Sequence, residues 1–110
     1  MHRGDNMTSG IRITAIEAHA LMKRNPSAII LDVRTEHEFS TGRIPGAICV
    51  PDYDICDKAN RVLPNLNAMI LVYCKAGSRS RGAARMLVSM GYTSVYDFGG
   101  INTWPYDVVR

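Results

Sequence analysis

Short continuous apolar runs alternate along the chain with segments in which apolar residues recur at helical spacing. The two clearest runs are residues 28–33 and 69–73, each apolar at almost every position. Runs of this length are typical of strands buried on both faces, as in parallel sheets. Ala83, Leu87 and Met90 recur at i, i+4 and i+7 and predict a helix that Gly91 ends. The pattern therefore predicts an α/β fold with a mainly parallel sheet.

Two capping boxes mark where further helices begin. Thr14 with Glu17, and Thr35 with Glu38, place a hydroxyl at the first position and a carboxylate three residues later. The first box predicts a full helix, and the second predicts a short helix that Gly42 ends. The other predicted elements are a helix at 57–63, strands at 11–13, 47–50 and 94–98, and the first helix itself, at 15–24.

Size and composition favour one domain that is stable without disulfide bonds or a structural metal. The chain has 110 residues, of which 46% are hydrophobic and 21% charged, enough for a single core. We expect a flexible polar tail over residues 1–10 and one domain over 11–110. Three cysteines form neither a disulfide framework nor a CxxC pair, and no apolar run approaches the roughly 20 residues of a membrane helix. We therefore expect a soluble cytoplasmic protein without a membrane partner.

Charge is distributed unevenly along the chain. The net charge of +3 is modest and does not favour a nucleic-acid partner. All ten carboxylates, however, lie outside residues 58–96, a segment that holds six cations. The six are Lys58, Arg61, Lys75, Arg79, Arg81 and Arg85. They indicate either a site for small anions or a solvated basic helix face.

Cys74 follows the most apolar run directly and is the strongest candidate for chemistry. Ligands of open α/β sheets bind beyond the carboxyl ends of strands. The residues after Cys74 are small or cationic, and Gly77 allows their amides to curl around a common centre at the start of the next helix. Amides, Lys75 and Arg79 would all stabilise a thiolate there. The alternative is a small buried residue at a strand end, shielded among aliphatic side chains.

The other candidate groups have weaker patterns. Cys49 lies in an apolar strand and Cys56 in a loop, so we expect neither to be reactive. The histidines have no ligand spacing with one another or with cysteine, so no metal or cofactor is expected. Asp32 and Arg34, near the end of the run at 28–33, form either a plain strand-end ion pair or part of the site.

On these residues the chain resembles the rhodanese family of sulfurtransferases in its single-domain form, over roughly residues 11–106. Two blocks carry the resemblance. The first is LDVR at 31–34, with EF at 38–39 and GRIPGA at 42–47; the second is VYCKAGSRS at 72–80, with GY at 91–92, GG at 99–100 and Trp104. Arg43 stands where the family usually has histidine, and its role stays unassigned.

The resemblance implies a rhodanese-like central sheet of about five strands with helices on both faces. It also implies that Cys74 carries sulfur as a persulfide. The substrate pocket would then be lined by Lys75, Ala76, Gly77, Ser78 and Arg79. Asp32, lying under this loop, would support it together with Arg34 and Ser80.

The implied reaction moves a sulfane sulfur from thiosulfate or a similar anion to cyanide or a thiol. One alternative is a persulfide carrier that a protein partner loads or unloads. A cysteine phosphatase or arsenate reductase is less favoured, because those phosphatases use a C-x5-R loop and only four residues separate Cys74 from Arg79.

Overall fold

The computed structural model describes residues 10–110, and the predicted tail, apart from Gly10, lies outside them. The strands are β1 Ile11–Arg12, β2 Ile29–Asp32, β3 Ile48–Cys49, β4 Met69–Cys74 and β5 Ser94–Gly100. The helices are α1 Ala15–Arg24, α2 Glu36–Thr41, α3 Ile55–Val62 and α4 Ser78–Ser89, with short 3-10 turns at Asp52–Asp54 and Ile101–Thr103. Over residues 10–110 no helix is long and apolar enough to cross a membrane.

The five strands form one sheet in the order β1-β5-β4-β2-β3. Every neighbouring pair of strands is parallel. The most apolar strand, β4, takes the central place, where both of its edges are paired and both of its faces are covered. This confirms the predicted α/β class and the expected number of strands.

Side chains of β4 alternate between two hydrophobic clusters. Ile70, Val72 and Cys74 belong to the cluster that contains residues of α3 and α4. Leu71 and Tyr73 belong to the cluster on the opposite face, which contains residues of α1 and the C-terminal segment. This alternation explains why the strand is apolar at every position, and it confirms helices on both faces. It also directs Cys74 to the face of α4.

Both capping boxes form as the sequence predicts. The hydroxyl of Thr14 accepts the amide of Glu17, and the Glu17 carboxylate accepts the amide of Thr14. Thr35 and Glu38 make the same reciprocal pair at the start of α2. The first box begins α1 where expected, and the second fixes the Glu38 side chain at the first turn of α2.

Several boundaries differ from the prediction by one or two residues, and one of these differences shapes the site. Helix α3 begins at Ile55, earlier than predicted, because the 3-10 turn leads directly into it. Strand β5 extends to Gly100 instead of ending at 98 through a bulge: Val72 pairs with Asp97, but Cys74 pairs with Gly100. The extra residue brings the end of β5 beneath the segment after Cys74.

Candidate active site

Cys74 is the last residue of β4, not the first residue beyond it. Its Sγ accepts hydrogen bonds from the amides of Gly77 at 3.0 Å and Ser80 at 3.3 Å. The residue is only 1% exposed and packs with the aliphatic side chains of one core cluster. The thiol is therefore shielded from solvent, as in the structural alternative, but its sulfur also faces the amides of the loop.

Backbone geometry at two glycines makes this arrangement possible. Gly77 has φ of 111°, in the left-handed region, and is the N-cap of α4. The N-terminal end of α4 therefore lies at the thiol, where amides and the helix dipole favour negative charge. A side chain at Gly100 would collide with the carbonyl oxygen of Lys75. The loop after Cys74, residues 75–79, therefore packs directly on the backbone of β5.

Asp97 joins the loop to the sheet, and it was not among the residues predicted for the site. The Asp97 carboxylate is buried and accepts Ser80 Oγ at 2.7 Å, the Gly99 amide at 2.9 Å and Arg12 Nε at 3.0 Å. Arg12 also donates from Nη2 to the Gly77 carbonyl at 3.1 Å. A carboxylate within a mostly apolar strand, two residues before Gly99, was the sequence signal that could have found Asp97.

Asp32 and Arg34 form a buried ion pair away from the loop. Arg34 Nη2 lies 2.7 Å from the Asp32 carboxylate and 2.6 Å from the Gly42 carbonyl. Burial opposes the charge of Arg34, but the hydrogen bond that Arg34 donates to Asp32 helps to raise its pKa overall. The pair holds the turn after α2, and over residues 10–110 its side-chain hydrogen bonds do not reach the loop. This corrects the expectation that Asp32 and Arg34 support it; the side chain of Ser80 does reach it.

The Asp32–Arg34 pair lies away from the loop because of the face of the sheet on which Asp32 lies. Asp32 is in register with Tyr73, whose side chain belongs to the cluster opposite Cys74. Burial raises the pKa of Tyr73, and a hydrogen bond with Asp32 raises it further. Asp32 therefore lies on the face of the sheet that α1 covers, whereas Asp97 lies on the face of Cys74.

The two cations predicted for the pocket differ in surroundings. Lys75 is exposed. Arg79 donates from Nη1 and Nη2 to the two carboxylate oxygens of Glu38, at 2.7 and 3.1 Å. The hydrogen bond from Arg79 lowers the pKa of Glu38 to about 2, and the same bond raises the pKa of Arg79. The sequence did not indicate that Glu38 would reach the loop.

Within residues 10–110, Cys49 and Cys56 make no hydrogen bond to the loop. Burial raises the pKa of Cys49 to about 11, which keeps this thiol protonated at neutral pH. Cys56 is exposed on α3, and its Sγ lies 2.9 Å from Met86 Sδ. Over residues 10–110 no group of three or more histidine, cysteine, aspartate or glutamate side chains could hold a metal ion.

Arg43 and His19 pack against aromatic rings. The Arg43 guanidinium lies 4.8 Å from the centre of the Phe39 ring, and its backbone pairs with Val109. Arg43 thus ties the C-terminal segment to the turn after α2. His19 is partly buried and stacks on Tyr106 at 3.7 Å between ring centres.

Comparisons with known proteins identify the family of the chain. Residues 14–106 match the Rhodanese-like domain family. Thiosulfate sulfurtransferase GlpE of Stutzerimonas stutzeri is 34% identical over 101 residues, which are 91% of this chain and 89% of that protein. Thiosulfate sulfurtransferase PspE of Escherichia coli is 34% identical over 71 residues, or 64% of this chain and 68% of PspE.

Solved structures show the same fold. A protein of Staphylococcus saprophyticus superposes with a TM-score of 0.80 at 31% identity, over 91% of this chain and 99% of its own. A structure described as rhodanese with anions, from E. coli, gives 0.71 at 30% identity, over 76% of this chain and 98% of its own. The chain therefore belongs to the rhodanese family and is a sulfurtransferase of the rhodanese type.

Proposed function

We propose that Cys74 accepts a sulfane sulfur from thiosulfate or a similar small donor and passes it, as a persulfide, to cyanide or a thiol. One observation carries the proposal: two amides at the N-terminal end of α4 donate to the sulfur of Cys74. Hydrogen bonds of this kind stabilise a thiolate, which is the nucleophilic form of cysteine. The thiosulfate sulfurtransferases among its relatives support the choice of donor.

In the first step the Cys74 thiolate attacks the outer sulfur of thiosulfate. A new S–S bond forms on Cys74 while the S–S bond of thiosulfate breaks, and sulfite leaves with the electron pair. Two negative charges leave with sulfite and one stays on the persulfide, so charge balances without a proton transfer. No separate general base is needed.

The loop stabilises charge on both sides of this step. We assign Lys75, Ala76, Gly77, Ser78 and Arg79 to the wall of the donor site, with amide donors around the transferred sulfur. A single preorganised donor of this type is worth about 3 kcal/mol to the transition state in other enzymes. Ser80 supports the wall through Asp97.

In the second step a nucleophile attacks the outer sulfur of the persulfide. With cyanide, a C–S bond forms, the S–S bond breaks and thiocyanate leaves, which restores the Cys74 thiolate. A thiol acceptor would remove the same sulfur by the same displacement. A reducing compartment such as the cytoplasm would keep Cys49, Cys56 and Cys74 as the free thiols seen in the structure.

Steady-state formation of thiocyanate from thiosulfate and cyanide tests the proposal. Cys74→Ser should abolish turnover while the protein stays folded, and Cys56→Ser, which changes an exposed thiol, should retain it. Full activity in Cys74→Ser would contradict the assignment. If thiosulfate, polysulfide and mercaptopyruvate all fail to load Cys74, the proposed turnover of small donors is wrong. The protein would then be a persulfide carrier that a protein partner loads.

A further inference from the structure

Glu38 has two structural functions at once. Its Oε1 accepts the backbone amide of Thr35 at 2.9 Å, which closes the capping box of α2, and also accepts Arg79 Nη1 at 2.7 Å. Its Oε2 accepts Arg79 Nη2 at 3.1 Å. The capping box therefore holds the carboxylate in place, and the carboxylate engages the guanidinium in a bidentate pair.

A second carboxylate, that of Asp52, lies near the same guanidinium. Arg79 and Asp52 line a depression of about 320 Å³ beside the loop, together with Ser78, Gly82, Ala83 and Met86. Asp52 is close enough to contribute to the raised pKa of Arg79. Because the pKa of Glu38 is about 2, its carboxylate is charged at every pH at which the protein would work.

The edge of the loop at Arg79 is therefore less favourable to anions than the run of cations in the sequence indicates. An anionic donor must either share the guanidinium with Glu38 or displace it. In both cases the donor meets a fixed negative charge, and the repulsion grows with the charge of the donor.

We propose that Glu38 is a specificity-determining residue that disfavours dianionic sulfur donors relative to monoanionic donors of the same shape. The proposal rests on the proposed sulfur transfer at Cys74. It narrows the class of preferred donor to singly charged sulfane compounds, such as thiosulfonates or simple persulfides.

A matched pair of donors separates charge from shape. Thiosulfate is a dianion, and methanethiosulfonate is a monoanion in which a methyl group replaces one oxygen. Both present the outer sulfur to the thiolate; the leaving group is sulfite in the first case and methanesulfinate in the second. The Coulomb energy is proportional to donor charge, so the fold-change for thiosulfate should be about the square of that for methanethiosulfonate.

Glu38→Gln removes the charge and keeps the local fold, because glutamine also closes a capping box. We expect kcat/KM to rise roughly tenfold for thiosulfate and about threefold for methanethiosulfonate. Glu36→Gln is the matched control: it removes one negative charge from an exposed position on the same helix. Its kcat/KM should stay close to that of the parent protein for both donors.

Three results would overturn the proposal. In Glu38→Gln, kcat/KM for thiosulfate could fall, which would make Glu38 a residue that positions Arg79 for binding. It could change by the same factor for both donors, which would exclude discrimination by charge. It could also stay unchanged for both.

Sulfate binding separates this proposal from the proposed function. Titration with sulfate, followed by the NMR signals of the Gly77 and Ser80 amides, measures anion affinity without turnover. Glu38→Gln should bind sulfate roughly tenfold more tightly than the parent protein; equal affinity would contradict the effect of Glu38. If neither donor is turned over by any variant, the proposed function fails, and the sulfate titration still decides the role of Glu38.

Discussion

Two Asp–Arg pairs of the sheet differ in position and in what they hold: Asp32 is the last residue of β2, whereas Asp97 lies in the middle of β5. Asp32 pairs with Arg34 at 2.7 Å, and their side chains are 0% and 6% exposed. Asp97 pairs with Arg12 at 2.9 Å, and their side chains are 5% and 45% exposed. The first pair joins residues two apart on one strand end; the second joins β5 to β1. In the described part of the chain, only the second pair is hydrogen-bonded to the loop after Cys74, through Arg12 and the Gly77 carbonyl.

The face of the sheet explains the difference. Asp97 is in register with Val72, which shares the face of Cys74, whereas Asp32 is in register with Tyr73 on the opposite face. Side chains alternate along a strand, so a shift of one position moves a carboxylate from one side of the sheet to the other. Position at a strand end is therefore not sufficient to place a residue at the site. Substitutions in the Asp32–Arg34 pair should therefore affect mainly stability, and substitutions in the Asp97–Arg12 pair should affect mainly sulfur transfer.

The largest effect on stability should come from Asp32→Ala. It leaves the Arg34 guanidinium buried without its carboxylate, and breaking a buried pair in this way costs about 3 to 5 kcal/mol. Unfolding in urea would measure the loss. Sulfur transfer per folded molecule should change little, because the bonds of the pair end on Gly42. A stable Asp32→Ala protein with no activity would place Asp32 at the site after all.

Asp97→Asn should lower stability less than Asp32→Ala does, and it should lower sulfur transfer more. It removes the charge that Ser80, Gly99 and Arg12 share, at a cost of about 1 to 3 kcal/mol in unfolding free energy. Displacement of the loop amides that bond the Cys74 sulfur should lower kcat/KM roughly tenfold to a hundredfold, since small misplacements at a reacting centre have effects of this size. Unfolding and thiosulfate turnover measured on the same preparation test this. Unchanged turnover would show that the loop does not depend on Asp97.

A smaller effect is expected from Ser80→Ala, which keeps the backbone amide that bonds the Cys74 sulfur. The lost hydroxyl bond to Asp97 should cost about 0.5 to 1.5 kcal/mol, with a drop in kcat/KM of a few fold. Ser89→Ala on the same helix is the matched control, because its exposed hydroxyl bonds only the carbonyl of Met86 within residues 10–110. Equal effects of the two variants on turnover would exclude a supporting role for Ser80.

The smallest effect should come from Arg12→Ala, because this side chain is half exposed and exposed ion pairs contribute less than about 1 kcal/mol. We expect turnover to fall slightly, through the lost bond to the Gly77 carbonyl, while the urea midpoint moves little. Arg12→Lys keeps the charge but not the forked geometry, so comparison of the two variants separates charge from shape. A loss of turnover as large as that of Asp97→Asn would mean that the loop depends on Arg12 as much as on Asp97.

Local patterns in the sequence predicted the elements that local interactions determine. The Thr14 box located α1, and the apolar run before Cys74 located the central strand and the loop. Asp97 was not found, because its partner Arg12 is 85 residues away and nothing local joins them. The same holds for Glu38 and Arg79, which are 41 residues apart. Contacts of this range depend on strand order and register, which single-sequence patterns leave open.

Mass analysis of the Cys74 peptide after incubation with thiosulfate shows directly whether Cys74 carries the transferred sulfur. We expect that this peptide gains one sulfur atom, that cyanide removes the sulfur, and that Cys49 and Cys56 stay unmodified. Turnover of thiosulfate with an unmodified Cys74, or with the sulfur on Cys56, would contradict it.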